Sequence, residues 1–248
     1  MTVVPAHRIR PAGDTALVVE FGERVDRDVS NLVLAFAQRL NEARIAGVVE
    51  CVPTFRSLMV YFEPLIVPHA ALAARIGKLV QGLRSTEPAG RRWRLPVCYD
   101  ASCGLDLEDV AAQTNLTPAQ VIERHSAVTY HVYMLGFLPG QPYMGDLAGE
   151  LALARRQTPR MKIPAGSVAI ATTMTCIFPL ETPCGWHLIG RCPAPLWDPR
   201  SGSAPLLRAG DQVGFTPVSL REYETLFAKA ADGRLAIAPI DDVRSAAA

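Results

Sequence analysis

The 248-residue sequence has little net charge and no long apolar run. Its 25 basic and 24 acidic residues leave +1 at pH 7, and no basic run is longer than the pair Arg91-Arg92. This excludes the clustered positive charge typical of nucleic-acid-binding proteins. Charged residues or proline interrupt every apolar stretch before the roughly 18–20 residues that span a bilayer, and no secretory signal pattern begins the chain. We therefore expect a cytoplasmic protein with a small-molecule ligand and no nucleic-acid or membrane partner.

Cysteine is also scarce. The six cysteines include no Cys-x-x-Cys pair, so we expect free thiols rather than a disulfide scaffold. An alternative zinc site would use Cys176, Cys184, His187 and Cys192. Their spacing matches no common ligand signature, so burial as small side chains is the favoured interpretation and no metal site is predicted. Cys184 also lacks a Cys-His-Asn arrangement for a thiol mechanism.

The common catalytic motifs are missing too, including the phosphate-binding loop, the dinucleotide fingerprint, the zinc-protease helix and the serine-hydrolase elbow. What is present is apolar surface: 49% of residues are hydrophobic, 20% are charged and the mean hydropathy is +0.15. Proline is unevenly spread, with 6 of 20 in residues 1–92 and 11 in residues 139–217. Because proline interrupts helices and central strands, this indicates two domains of different class.

The first half alternates strand and helix patterns. The predicted elements are a strand at 15–21, a helix from Val29 to Leu40, strands at 48–52 and 57–62, a helix from Leu72 to Leu83, and a strand at 93–98. The order βαββαβ is that of a ferredoxin-like domain. We place this domain at residues 1–90, with a linker at 84–92.

The second half predicts short strands joined by turns. Thr117, Pro118 and Gln120 supply a capping box and an N-terminal proline for a helix that ends near His125. Other predicted elements are strands at 95–99, 128–135, 167–171, 176–178 and 187–189, and a helical patch at 107–113. This pattern favours a small barrel or sandwich with one or two helices. We assign it residues 91–232, with a tail at 233–248 whose last residues, 245–248, are expected to fray.

Three turn-rich segments are candidate sites: residues 136–143, 159–167 and 183–191. In the second, the turn at 164–167 could aim backbone N–H groups at an anion, and Lys162, one of only three lysines, lies beside it. The alternative is a tight barrel corner with a solvated Lys162. Arg56 and Arg191 could each bind a carboxylate, although a structural ion pair is the commoner use.

Two histidines have open interpretations. His125 lies at a predicted helix end, where an imidazolium more often caps the helix than acts as a base. His187 is expected to face the surface from its strand.

Motifs along nearly the whole chain resemble one family. They are GDTALVVEFG from Gly13, GVVECVPTFRSLMVYFEP from Gly47, LPVCYD from Leu95, GLDLEDVA from Gly104, HSAVTYHVYMLGFLPGQPYMG from His125, KIPAGSVAIA from Lys162 and PCGWHLIGRCP from Pro183. The sequence is similar to the family of KipI, allophanate hydrolase subunit 1 and the 5-oxoprolinase subunit PxpB. The resemblance implies an α+β chain, with an N-terminal ferredoxin-like βαββαβ domain followed by a cyclophilin-like β-barrel domain.

The resemblance also implies a function. A PxpB-like chain works with a PxpC-like carboxyltransferase-type subunit and a PxpA-like subunit in the ATP-dependent opening of 5-oxoproline to L-glutamate. We expect ATP, with Mg, to bind in that complex and the isolated subunit to be inactive. The alternatives are a KipI-like inhibitor of a sensor histidine kinase, or a subunit related to allophanate hydrolase and urea carboxylase.

The implied site residues fall in two groups. We assign catalytic roles to His125, Lys162 and Arg191. We assign substrate or nucleotide binding to Arg56, Pro139, Gly140, Arg160, Pro164, Ala165, Gly166, Ser167, Gly185 and Trp186. The chain departs from the family pattern at GQPY (140–143), at TTMTCIFP (172–179) and at CGW (184–186), so we expect the ligand or its pose to differ from the common one.

Overall fold

The structure is a computed structural model that describes residues 6–85, 90–199 and 205–240. Its contacts divide the chain into two units, residues 1–89 and 90–248. Part of the predicted linker, residues 86–89, and most of the predicted tail, residues 241–248 with the expected frayed end, lie outside the described residues. None of the described helices combines the length and the apolar character that a membrane crossing needs.

The first unit is a four-stranded antiparallel sheet with two helices. Its elements are β1 (Arg8–Pro11), β2 (Ala16–Glu20), α1 (Arg27–Glu42), β3 (Val48–Pro53), β4 (Ser57–Phe62) and α2 (His69–Val80). The strand order is β1-β2-β4-β3. Asp26 caps α1 by accepting hydrogen bonds from the N–H groups of Asp28 and Val29. The apolar stripe of α1 is buried, as its helical spacing predicts.

The predicted βαββαβ order is wrong at both ends. The strand predicted to complete this unit, Arg92–Cys98, belongs to the second unit, where it pairs in parallel with Gln212–Val218 over all seven residues. The fourth strand of the sheet is instead β1, which pairs with β2. Because β1 is the largely exposed sequence RIRP at a sheet edge, it carries no apolar alternation from which it could be predicted.

The second unit contains a closed barrel of seven strands. Its elements are β5 (Arg92–Cys98), α3 (Leu107–Thr114), α4 (Pro118–Ala127), β6 (Tyr130–Leu135), β7 (Pro142–Gly145), a short 3₁₀ helix (Gly149–Leu151), β8 (Arg160–Ile163), β9 (Ser167–Ala171), β10 (Met174–Phe178), β11 (Thr182–Cys184), β12 (His187–Arg191), β13 (Gln212–Val218) and α5 (Leu220–Ala231). The barrel order is β10-β7-β6-β13-β5-β12-β9, and β8 with β11 forms a separate pair. The predicted barrel is confirmed, whereas α5 was not located from the sequence.

Local signals set the helix bounds of this unit. Thr117 and Gln120 form the predicted capping box at the start of α4, with Pro118 in the first turn.

Strands β9 and β10 are buried at every position, which accounts for their continuous apolar sequences. Ile240, in the predicted tail, donates its N–H to the Arg92 carbonyl oxygen at 2.6 Å.

A buried carboxylate ties the ends of β5 and β13 together. Asp211, 2% exposed, accepts hydrogen bonds from the Arg91 guanidinium, the indole N–H of Trp93 and the backbone N–H of Arg208. The Arg91 Nη2 to Asp211 Oδ2 distance is 2.8 Å. Because the carboxylate is enclosed and fully partnered, its removal would leave several donors without an acceptor.

We predict that Asp211→Ala lowers the free energy of unfolding of the barrel unit by about 3 kcal/mol, the order found when one partner of a buried ion pair is removed. Asp232→Ala is the matched control, because its pair with Arg234 is exposed, and should cost less than about 1 kcal/mol. Urea unfolding followed by tryptophan fluorescence measures both, since Trp93, Trp186 and Trp197 all lie in this unit. Equal losses in the two variants would contradict the anchoring role.

Candidate functional site

Aromatic side chains wall a small cavity in the barrel unit. The Trp186 ring centroid lies 6.0 Å from that of Tyr143 and 6.4 Å from that of Phe178, with both pairs edge to face. The cavity volume is about 140 Å³, below the roughly 300–1,000 Å³ of pockets for drug-sized ligands, so its ligand must be small. We call it the aromatic pocket; it is lined by Phe137, Gln141, Tyr143, Arg155, Phe178, Pro183, Cys184, Gly185 and Trp186.

Gln141 supplies a buried amide to this lining. It follows Gly140, whose φ of +73° and close approach to the Leu196 carbonyl oxygen, 2.8 Å from an added Cβ, leave room only for glycine. Gln141 is 1% exposed, its Nε2 lies 3.9 Å from the Cys176 sulfur, and its Oε1 has no hydrogen-bond partner among the described residues. Because an unpartnered buried acceptor costs about 1–3 kcal/mol, a ligand N–H there would be favourable.

Arg155 is the cation of the pocket. Its guanidinium carbon lies 5.9 Å from the centroid of the Trp186 ring, in a cation–π contact. It is exposed, and within the described ranges it forms no ion pair with a carboxylate. Burial raises the pKa of Tyr143, and the nearby Arg155 charge opposes that rise. The positive charge of Arg155 is therefore available to an anionic ligand.

Asp106 fixes the segment that carries Arg155. Its carboxylate accepts hydrogen bonds from Arg156 Nη1 and from both terminal nitrogens of Arg160, each at 2.7 Å, and from the Leu188 N–H at 2.8 Å. Burial raises the pKa of Asp106, but the hydrogen bonds and the two arginine charges outweigh it and hold the pKa below the usual 3.8. The ionised carboxylate thus joins α3, the chain around 155–160 and β12.

Two predicted cations have partners away from the aromatic pocket. The Lys162 ammonium lies 2.8 Å from Glu181 Oε1, and its side chain is 72% exposed. Arg56, in the first unit, donates from Nη1 to the Gly22 carbonyl oxygen at 2.7 Å. Their roles toward substrate stay predictions.

The other two predicted arginines also have internal partners. Arg160 forms a structural ion pair with Asp106, the use that the sequence analysis gave as the commoner one for Arg56 and Arg191. Arg191 donates from Nη2 to the Ala165 carbonyl oxygen at 3.0 Å and lies over the rings of Tyr223 and Phe227. Neither arginine lines the aromatic pocket.

The turn at residues 164–167, the predicted anion cradle, uses two of its N–H groups internally. The Gly166 N–H donates to the Phe178 carbonyl oxygen at 2.7 Å, and the Ser167 N–H donates to the Pro164 carbonyl oxygen at 3.3 Å. Because the Gly166 and Ser167 N–H groups are used internally and the Ala165 carbonyl oxygen accepts from Arg191, these contacts favour the barrel-corner interpretation. The anion-binding role of the turn stays a prediction.

His125 lies in the barrel core. It is 0% exposed, and its ring nitrogens contact the Tyr99 hydroxyl at 2.7 Å and the Thr175 hydroxyl at 2.9 Å. The ring stacks on Phe215 with centroids 4.9 Å apart. Burial lowers the pKa of His125 from 6.5 to about 3, so the ring is neutral. Its nitrogens pair with side-chain hydroxyls rather than with the helix end, and it is not part of the aromatic pocket lining. Its catalytic role stays a prediction that this position does not support.

Two of the thirteen predicted site residues, Gly185 and Trp186, line the aromatic pocket. Pro139 and Gly140 shape the turn that precedes Gln141. Sequence reasoning missed Arg155, which has no motif around it. Other lining residues fall inside the turn-rich segments 136–143 and 183–191, and Gln141 and Cys184 are among the departures from the family pattern.

The cysteine alternatives gain no support. No group of three His, Cys, Asp or Glu side chains within the described ranges could hold a metal ion. Burial raises the pKa of the Cys184 thiol, so an activated thiolate is not favoured there. His187, predicted to face the surface, is 4% exposed, with Nε2 2.9 Å from the Ala154 carbonyl oxygen.

The fold and the pocket define a class: an α+β protein whose closed barrel carries a small aromatic cavity with one available cation. Residues 7–207 match the family described as carboxyltransferase domain, subdomain C and D. The chain belongs to this family.

Individual relatives agree. The chain is 37% identical over 228 residues to a 5-oxoprolinase subunit of Bacillus subtilis (strain 168), covering 88% of this chain and 95% of that protein. The crystal structure of TTHA0988 is similar with a TM-score of 0.74 and 32% identity, over 86% of this chain and 40% of that chain. The urea amidolyase of K. lactis has a TM-score of 0.80 over 96% of this chain and 16% of its own, and its 21% identity shows the fold alone.

We predict that His125 makes the barrel less stable at mildly acidic pH. The unfolded chain takes up a proton near the usual pKa of 6.5, whereas the folded ring resists protonation until about 3. The unfolded state thus binds more protons between these two pH values. The contribution of the neutral His125 ring to the free energy of unfolding is therefore complete above pH 6.5, and it is lost by about 1.4 kcal/mol per pH unit as the pH falls toward 3.

Urea unfolding at pH 7, 6, 5 and 4 measures this slope. His125→Gln should flatten it, and His69→Gln, which changes an exposed histidine of the first unit, should leave it unchanged. An unaltered slope in His125→Gln would show that other groups cause the acid dependence.

Proposed function

We propose that this chain is the PxpB-like subunit of an ATP-dependent 5-oxoprolinase, which opens 5-oxoproline to L-glutamate. The observation that carries this proposal is the 37% identity to the 5-oxoprolinase subunit of Bacillus subtilis across 95% of that protein's length. The regulatory and urea-related alternatives have no specific observation in their favour.

The aromatic pocket suits this substrate. 5-Oxoproline is a five-membered lactam ring that bears one carboxylate. The Tyr143, Phe178 and Trp186 side chains offer the lactam ring an apolar wall to pack against, and the guanidinium of Arg155 is available to its carboxylate. The lactam N–H is the donor that Gln141 Oε1 lacks. A small pocket with these three features selects a small cyclic amide acid.

The chemistry requires activation of the amide. The lactam oxygen attacks the terminal phosphorus of ATP, a new O–P bond forms, and ADP leaves with the electron pair of the broken bond. Water then adds to the activated carbon and the ring C–N bond breaks, the nitrogen taking up a proton, which leaves the acyl phosphate of glutamate. A second water hydrolyses this acyl phosphate and releases phosphate with glutamate. The part of this chain is to bind and orient the lactam, which lowers the entropic part of the barrier.

Partner chains complete the site. Around the aromatic pocket, the described residues offer no activated nucleophile, because burial keeps the Cys184 thiol protonated. We therefore assign proton transfer and most of the ATP and Mg binding to PxpC-like and PxpA-like chains in a complex with this one. This proposal places the complex in the cytoplasm and makes the isolated subunit inactive. As part of the same proposal, the first unit is a ferredoxin-like domain in which β1 replaces the C-terminal strand.

We predict that Arg155→Gln raises the KM for 5-oxoproline at least about tenfold, because a charge-assisted hydrogen bond contributes about 1.5–3 kcal/mol. The measurement is 5-oxoproline-dependent ATP hydrolysis by the chain co-purified with its PxpC-like and PxpA-like partners. Arg221→Gln, an exposed arginine on α5, is the matched control and should leave the KM unchanged. If the assembled wild-type complex has no such activity, the proposed function is wrong. If that complex is active but Arg155→Gln leaves its KM for 5-oxoproline unchanged, the substrate pose is wrong.

Gln141→Met should separate stability from function. The substitution keeps the side-chain volume but removes the unpartnered amide, so it should raise the free energy of unfolding by about 1 kcal/mol. It should also reduce 5-oxoproline turnover, because the lactam N–H loses its acceptor. Urea unfolding and the ATP hydrolysis assay test the two effects, and a variant that is less stable yet fully active would refute this role.

A further inference from the structure

A second cavity adjoins the aromatic pocket through a shared residue. Its volume is about 420 Å³, within the usual range for small-molecule sites. Arg155 lines both cavities. We call the second cavity the arginine pocket; its polar lining includes Asp109, Gln113, Arg155, Arg156, Thr158 and His187.

Charge around the arginine pocket favours an anion. Asp106 is the single carboxylate that Arg156 and Arg160 share, so one positive charge of that cluster is not neutralised within it. Arg155 adds a second positive charge, and the carboxylate of Asp109 in the lining opposes them. Three arginines and two aspartates leave a net charge of +1 beside this open polar cavity.

Two buried polar atoms of the lining residues lack partners. Arg156 Nε and His187 Nδ1 have no hydrogen-bond partner within the described part of the chain. His187 is 4% exposed, and its Nε2 lies 2.9 Å from the Ala154 carbonyl oxygen, which can only accept. In the neutral ring the hydrogen is therefore on Nε2, and Nδ1 is an unpaired acceptor. Because native proteins rarely leave buried polar atoms unsatisfied, water or a bound ligand must complete this pair.

The bound group must accept from guanidinium groups and also donate one hydrogen to an imidazole nitrogen. A carboxylate or sulfate accepts but has no hydrogen to donate at neutral pH. Water does both but carries no charge to match the uncompensated arginine. A hydrogen phosphate ion, or a phosphate ester that carries a proton, does both and also supplies the negative charge. We propose that the arginine pocket binds a phosphoryl group, with Arg155 between it and the ligand of the aromatic pocket.

This inference rests on the proposed function for one point: the phosphoryl group then belongs to ATP or to the released phosphate, beside the lactam. Phosphate binding itself can be measured on the isolated full-length chain without turnover. Titration calorimetry with inorganic phosphate, sulfate and ADP distinguishes a free ion from a nucleotide source. We expect phosphate to bind at least about tenfold more tightly than sulfate, because a site that pairs with a ligand O–H rejects an analogue that lacks it.

Charge variants of α3 provide the second arm. Asp109→Asn should tighten phosphate binding about threefold by removing a like charge, and Gln113→Glu should weaken it about threefold by adding one. Glu108→Gln makes the same charge change outside the pocket lining and should leave the affinity unchanged. His187→Phe should abolish the preference for phosphate over sulfate.

Each result decides the proposal. Equal affinity for phosphate and sulfate, no saturable phosphate binding, or equal effects of Asp109→Asn and Glu108→Gln would overturn it. If ADP binds and phosphate does not, the site recognises another part of the nucleotide and the phosphoryl assignment is wrong. An active complex with no phosphate binding would refute this inference alone, whereas phosphate binding without 5-oxoproline-dependent ATP hydrolysis would refute the proposed function alone.

Discussion

The buried Asp106 carboxylate is the interaction on which both pockets depend. It lies at the start of α3 and joins Arg156, Arg160 and the Leu188 N–H, which belong to three different stretches of the chain. These contacts hold the loop that carries Arg155 against the start of β12. There Trp186 lines the aromatic pocket and His187 lines the arginine pocket. An enclosed carboxylate is costly unless it is fully hydrogen-bonded, so this segment has little freedom to move while Asp106 is ionised.

Sequence patterns predicted the elements better than the site. Helical spacing and the Thr117 capping box are local, and they placed α1, α2 and α4 within a few residues. Residues 93–98 are predicted to complete the first domain and residues 95–99 to open the second; only the second prediction holds, and the pairing of this strand with β13, about 120 residues away, has no local sequence signal. Arg160 and Arg191 were assigned to a ligand for the same reason: a sequence shows that an arginine is present but not that Asp106 or a turn carbonyl oxygen already binds it.

The residues that the sequence missed share a physical property. Gln141, Arg156 and His187 each keep a buried polar atom without a partner within the described ranges. No composition or spacing rule predicts an unsatisfied atom, because it is defined by what the surrounding fold fails to supply. Such atoms lower stability, and three of the six found in the described residues belong to lining residues of the two cavities, which fits a site that is completed by its ligands.

The aromatic pocket is open to solvent on one side, which bears on the proposed role of a partner chain. Phe137, in the lining, is 68% exposed, and Arg155 also faces solvent. Water around an exposed guanidinium screens its charge, and water would also compete for any activated amide intermediate. A site that both binds anions strongly and protects such an intermediate must exclude bulk water. Because this chain leaves one side of the pocket open, the partner proposed above would supply that exclusion by covering Phe137 and Arg155.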